Sequence, residues 1–152
     1  MATLKRDTVV VITLSTLIVI VLSYLALNSP IEKMLSHSGY PWIREYPWYL
    51  YWRIALANLI IWLVALVLLS FELKWAKYLA LLSAITFTLF HYITLMVSGR
   101  KEYVVKIMPL VYTVYSNKYQ CETSYLDLGQ IIILITLLNT VNWKDLIKRK
   151  IK

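Results

Sequence analysis

Residues 54–97 read IALANLIIWLVALVLLSF, then ELK, then WAKYLALLSAITFTLFHYITLMV. The first part is eighteen residues without a charge, and it extends back through an aromatic-rich stretch to Trp48. The second part, Trp75 to Val97, carries one early lysine, Lys77, and no other charge. A helix needs roughly 20 apolar residues to cross a hydrocarbon layer about 30 Å thick. Both runs have that length. Only Glu72-Leu73-Lys74 separates them, so they are expected to form a tight antiparallel hairpin of two membrane spans, 48–71 and 75–97.

Upstream, Thr8 to Leu27 is a further twenty uncharged residues, preceded by Lys5 and Arg6. Its length exceeds that of a secretory h-region, so an uncleaved anchor is expected. Downstream, Leu128 to Val141 is shorter and contains Gln130 and Asn139. It is expected to begin near Tyr125 to gain length, giving a fourth span over 125–141. The fold expected from this pattern is an all-α membrane protein. It is one integral membrane domain over 1–152, an antiparallel four-helix transmembrane bundle with outer segments 28–47 and 98–124.

The rest of the composition agrees with a membrane setting. Of the 152 residues, 60% are hydrophobic and 16% charged, and the mean hydropathy is +0.64. Soluble domains are nearer one-quarter charged. The net charge of +8 comes from basic residues gathered at the ends of apolar runs, which is the pattern of orientation signals and not of nucleic-acid binding. With four spans, the N-terminus, the 72–74 turn with Lys77, and the C-terminal tail share one side. They hold nine of the sixteen Lys and Arg residues. Both termini are therefore expected in the cytoplasm of a cell-membrane protein.

The two outer segments differ in character. The first ends in Tyr40, Trp42, Tyr46, Trp48, Tyr49, Tyr51 and Trp52, seven aromatics in thirteen residues. Such residues form belts at the membrane interface, and they also dominate contacts between proteins. Tyr40, Trp42, Tyr46, Trp48, Tyr49 and Trp52 are accordingly candidate partner contacts. In the second segment, YVVKIMPLVYTVY over 103–115 is rich in β-branched and aromatic residues, with Pro109 near its middle. It is expected to be a short hairpin or a segment lying on the membrane surface.

Helices in lipid associate through small and hydrogen-bonding residues. Stripes of that kind run through Thr13, Thr16 and Ser23; through Asn58, Trp62 and Ala65; through Ala80, Ala84, Thr88 and His91; and through Gly129, Thr136 and Thr140.

Chemistry-bearing residues are sparse. Cys121 is the single cysteine, which excludes an intrachain disulfide or a CxxC motif. His91 is the one histidine inside a span, so a haem held by two histidines of this chain is not expected, and no cluster of metal ligands is in view. No carboxylate lies near a span centre, where an ion-coupled transporter generally has one. Arg53, His91, Asp127 and Gln130 come to similar depth near the outer ends of three spans. Asp127 is expected either to pair with Arg53 or His91, or simply to cap its own helix. If these residues meet, they offer a place for a quinone or lipid headgroup.

In size and hydropathy the chain resembles the small multi-span accessory subunits of respiratory and other energy-converting membrane complexes. The leading expectation is a non-catalytic accessory subunit with no cofactor, surrounded by membrane lipids and other membrane subunits. A small membrane enzyme or redox subunit handling a quinone or lipid is the alternative, and a transporter or channel component the third.

Overall fold

A computed structural model describes residues 6–29, 46–98, 103–116 and 119–140. Three long helices lead the architecture: α1 (Arg6–Asn28), α2 (Tyr49–Ser70) and α3 (Ala76–Ser98). Each is long and apolar enough to cross a membrane. At 1.5 Å per residue they measure about 33–35 Å.

The α2–α3 hairpin turns without glycine. Phe71 closes α2, and Glu72 takes the left-handed conformation with φ 60°. Its N–H donates to the Leu69 carbonyl at 2.9 Å, and the Leu73 N–H donates to Leu68 at 3.3 Å. These paired bonds are a Schellman termination, which usually places Gly where Glu72 stands. Small residues then let the two helices approach. Ala55 and Ala65 of α2 are buried, as are Ala76, Ala80, Ser83 and Ala84 of α3.

Helix α1 packs on both partners but offers them little, burying Ser15, Val19 and Ala26. Those residues recur at four- and seven-residue steps, which defines the contact face. Thr13, expected on that face, is exposed instead, and its hydroxyl donates to the Val9 carbonyl one turn back. A hydrogen bond from Asn58 Nδ2 to Ser23 Oγ at 2.9 Å links α1 to α2.

Two expectations are corrected beyond α3. The chain is not all-α: strands β1 (Tyr103–Met108), β2 (Val111–Ser116) and β3 (Cys121–Leu126) form an antiparallel sheet in the order β1-β2-β3. The hairpin expected over 103–115 thus has a third strand. The last helix, α4 (Leu128–Thr140), does not begin near Tyr125, because Tyr125 and Leu126 belong to β3. Its described part is 13 residues, about 20 Å of helix. Helix α4 packs on α3 and reaches α2 through a buried bond from Trp62 Nε1 to Thr136 Oγ1 at 2.8 Å.

The β1–β2 turn is unusual. Met108 pairs with Val111, leaving Pro109-Leu110 as a two-residue loop. Such loops favour turns with positive φ at the first position, which proline cannot adopt. The chain instead puts φ 61° on Leu110, the type II pattern, where Gly or Asn is the usual choice.

Candidate functional site

Three of the four expected polar residues meet where α3, the sheet and the start of α4 converge. Asp127 is the residue between β3 and α4 and is 0% exposed. As N-cap, its Oδ1 accepts from the Gln130 N–H at 3.1 Å, satisfying a helix-start donor. Its Oδ2 accepts from the Tyr92 hydroxyl at 2.8 Å and from Gln130 Nε2 at 2.9 Å. His91 Nε2 stands 3.7 Å from Oδ1, a close approach longer than a hydrogen bond. Asp127 thus caps α4, and His91 lies beside its carboxylate without a hydrogen bond.

Gln130 does not complete the usual capping box, in which its side chain would reach back to the N-cap N–H. That N–H, on Asp127, donates to the Leu110 carbonyl at 2.9 Å. The Gln130 amide is thereby available to the β-turn. Its Oε1 accepts from the Leu110 N–H at 2.8 Å, and its Nε2 donates to the Met108 carbonyl at 3.0 Å. The strained residue Leu110 is therefore held through both its N–H and its carbonyl by the start of α4, which shows how a leucine keeps a conformation costing about 1–2 kcal/mol.

Aromatic rings close the other side. His91 stacks on Phe87 at 5.5 Å and meets the Tyr112 ring edge-on at 6.1 Å. Tyr112 in turn stacks on Tyr125, its cross-strand neighbour, at 5.3 Å. Burial, helped by Tyr125 and Asp127 nearby, pushes the Tyr112 hydroxyl above its usual pKa. Gly129 sits under the cluster, where an added Cβ would lie 3.1 Å from Asp127 Oδ1 and 3.2 Å from His91 Cδ2. The close approach of α4 to α3 leaves a side chain there pressed against Asp127, His91 and Thr88.

Arg53 is placed elsewhere. It is buried near the start of α2, and its guanidinium donates to the Ser29 carbonyl and, at 3.4 Å, to Ser29 Oγ. It also lies over the Tyr49 ring at 5.7 Å. This arginine fastens the end of α1 to the start of α2. Of the candidate partner aromatics, Tyr40 and Trp42 lie outside the described residues. Tyr46 and Trp52 are exposed and Trp48 half-buried. Tyr49, expected on the same surface, is turned inward and only 6% exposed. Rings 46, 48, 49 and 52 make a continuous chain with centroids 5.7–6.1 Å apart.

Tyr92, Tyr112 and Gly129 were not singled out as site residues from the sequence. The Asp-x-x-Gln spacing of residues 127–130 is the signal that was available, and it pointed to a cap. Among the described residues no group of three or more His, Cys, Asp or Glu side chains stands ready for a metal. Chemically, the carboxylate is surrounded by donors from α3 and from its own helix. The arrangement joins three elements.

No protein-family model, curated protein or solved structure matches this chain.

Proposed function

We propose that the chain is a multi-pass membrane protein acting as a docking subunit of a larger membrane complex, with the sheet as its docking element. One observation carries this reading: a sheet fastened to the helix ends turns apolar side chains outward. In β1–β3 alternate residues face opposite ways. Tyr112 and Tyr125 face the side of His91. The opposite face carries Val104, Met108, Tyr115 and Leu126 interspersed with Lys106, Thr113, Glu122 and Ser124, with Leu126 66% and Val104 55% exposed. Val111 lies between Met108 and Leu126 in the register, so three apolar residues line up across the strands. A sheet presenting such a face is suited to cover by a partner, and Asp127, Gln130 and the rings hold it at a fixed place on the helices.

In this reading α1, α2 and α3 cross the membrane, and α4 enters beside α3 from the sheet side as the fourth member of the bundle. The basic termini face the cytoplasm and the sheet faces away from it. The exposed Cys121 is a built-in reporter. Impermeant maleimide should label it in intact cells, whereas a cysteine placed at Lys150 in a Cys121→Ser background should react only after permeabilisation.

The docking role is tested by gentle solubilisation followed by native mass measurement of the wild type and a Val104→Glu, Leu126→Glu variant. The wild type should migrate in an assembly of defined composition. The variant should leave that assembly while remaining in the membrane fraction. A wild-type chain that is a lone monomer, or a variant that assembles normally, would overturn the docking role.

A further inference from the structure

A shallow groove of about 370 Å³ runs along α1 where it leans on α2 and α3. Thr16, Ser23 and Leu27 form one wall, with Ile54, Thr86 and Phe90 opposite. No charged residue lines it. Three of its hydroxyl oxygens are already engaged. Thr16 Oγ1 donates to the Ile12 carbonyl at 2.8 Å and Thr86 Oγ1 to Leu82 at 2.9 Å, while Ser23 Oγ accepts from Asn58. Apart from the hydroxyl of Tyr24, which is 65% exposed, what remains along the groove is methyl, methylene and ring surface, so an occupant needs no hydrogen bonds within it.

The groove's placement along α1 identifies the occupant further. Thr16 is near the middle of α1 (Arg6–Asn28), and Leu27 is at its end. From one to the other is about 16 Å of helix rise, close to half the thickness of a bilayer's hydrocarbon core. The lip is formed by Ile20 and Tyr24, which are exposed along the side of α1. The trough is thus about one leaflet long and open sideways, with Val19 and Leu82 also in its lining.

We propose that this groove holds one acyl chain of a membrane phospholipid from the leaflet on the sheet side, lying lengthwise between α1 and α3. The inference rests on the membrane part of the proposed function and not on the docking role. The chain completes the packing of α1, whose own contact face is narrow.

The test uses full-length protein reconstituted into phosphatidylcholine vesicles that contain a phosphatidylcholine with a photoreactive diazirine midway along one acyl chain. Alkaline carbonate extraction comes first; release of the protein from its native membrane would overturn both this inference and the membrane reading. With membrane-retained protein, crosslinks should concentrate at least fivefold on peptides 16–27 and 82–90 over the other lipid-facing stretches of α1 and α2. Thr86→Phe, which fills the trough, should lower that labelling about tenfold, and Thr86→Val, which keeps its shape, should leave it within twofold. Even labelling along α1, or labelling unchanged in a folded Thr86→Phe protein, shows ordinary boundary lipid and overturns the site. If Thr86→Phe fails to fold, Ile20→Trp at the exposed lip serves in its place with the same expected loss. A polypeptide crosslinked through a photoreactive residue at position 20 in place of lipid would likewise refute it.

Discussion

Replacing Asp127 by Ala should release the sheet from the helices without unfolding them. The substitution removes an N-cap, worth about 1 kcal/mol, and the acceptor for the Tyr92 hydroxyl, where a hydrogen bond to a charged group is worth about 1.5–3 kcal/mol. It also takes one of two acceptors from Gln130 Nε2, which keeps the Met108 carbonyl. Some of this is recovered when water reaches the site, so about 3 kcal/mol is a fair expectation. Every 1.4 kcal/mol is tenfold in an equilibrium, so opening of the sheet should become about a hundredfold more frequent. Hydrogen exchange followed by mass spectrometry, in detergent or nanodiscs, separates the elements. Peptides over 103–126 should exchange about a hundredfold faster, and those within α2 and the first half of α3 should change less than threefold. Asp127→Asn keeps the cap but turns an amide N–H toward donors, and should fall between, near tenfold. Unchanged exchange of the sheet in Asp127→Ala would refute the idea that this carboxylate fastens it. So would uniform acceleration across all helices, since the residue would then support the bundle at large.

Other outcomes follow from the same geometry. Gly129→Val should cost about 2 kcal/mol, because its side chain would press on Asp127 and His91, and overpacking typically costs 1–3 kcal/mol; thermal unfolding in detergent reads it. A double-mutant cycle of Trp62→Phe and Thr136→Val should show a coupling of about 0.6 kcal/mol and not above about 1.7 kcal/mol, the range of interhelical hydrogen bonds in membranes. For Tyr112, a hydroxyl held neutral by burial stabilises the sheet fully below its ordinary pKa of about 10, and the contribution is lost as pH rises through the higher folded value. Amide exchange corrected for pH, or near-UV circular dichroism, should therefore show the wild-type sheet loosening above about pH 10, with a smaller change in Tyr112→Phe.

The α2–α3 hairpin was plain in the sequence because two long uncharged runs flank a three-residue break, and hydropathy is a summed property that no tertiary contact has to supply. The sheet was only partly legible. YVVKIMPLVYTVY announces strands through its β-branched and aromatic residues, but CETSYL over 121–126 has the composition of a loop and becomes a strand by pairing with β2. The same pairing explains the misplaced start of α4. Tyr125 and Leu126 are apolar and adjoin an apolar helix, so hydropathy alone runs them together, whereas Asp127 marks the boundary by capping. His91, Asp127 and Gln130 were brought together by depth counting along antiparallel helices. Tyr112 and the turn contacts of Gln130 could not be found that way, because they depend on where the sheet folds back. Arg53 was counted to a similar depth, but depth says nothing about which side of the helix a residue faces.

The fastening of the sheet has a consequence for the order of synthesis. Tyr92 and His91 are made about 35 residues before Asp127. At about 5–20 residues per second, β1 and β2 are complete only about 0.5–2 seconds ahead of the helix start that will hold them. A hairpin closes within microseconds, so β1 and β2 can meet at once, yet an isolated hairpin is marginal and its Pro109-Leu110 turn is strained until Gln130 arrives. Arrival of α4 is then the event that converts a fluctuating ribbon into a fixed surface. A nascent chain stalled with 103–116 clear of the ribosome and residue 127 still inside it should expose 103–116 to protease, and one stalled far enough beyond residue 140 to free α4 from the ribosome should not.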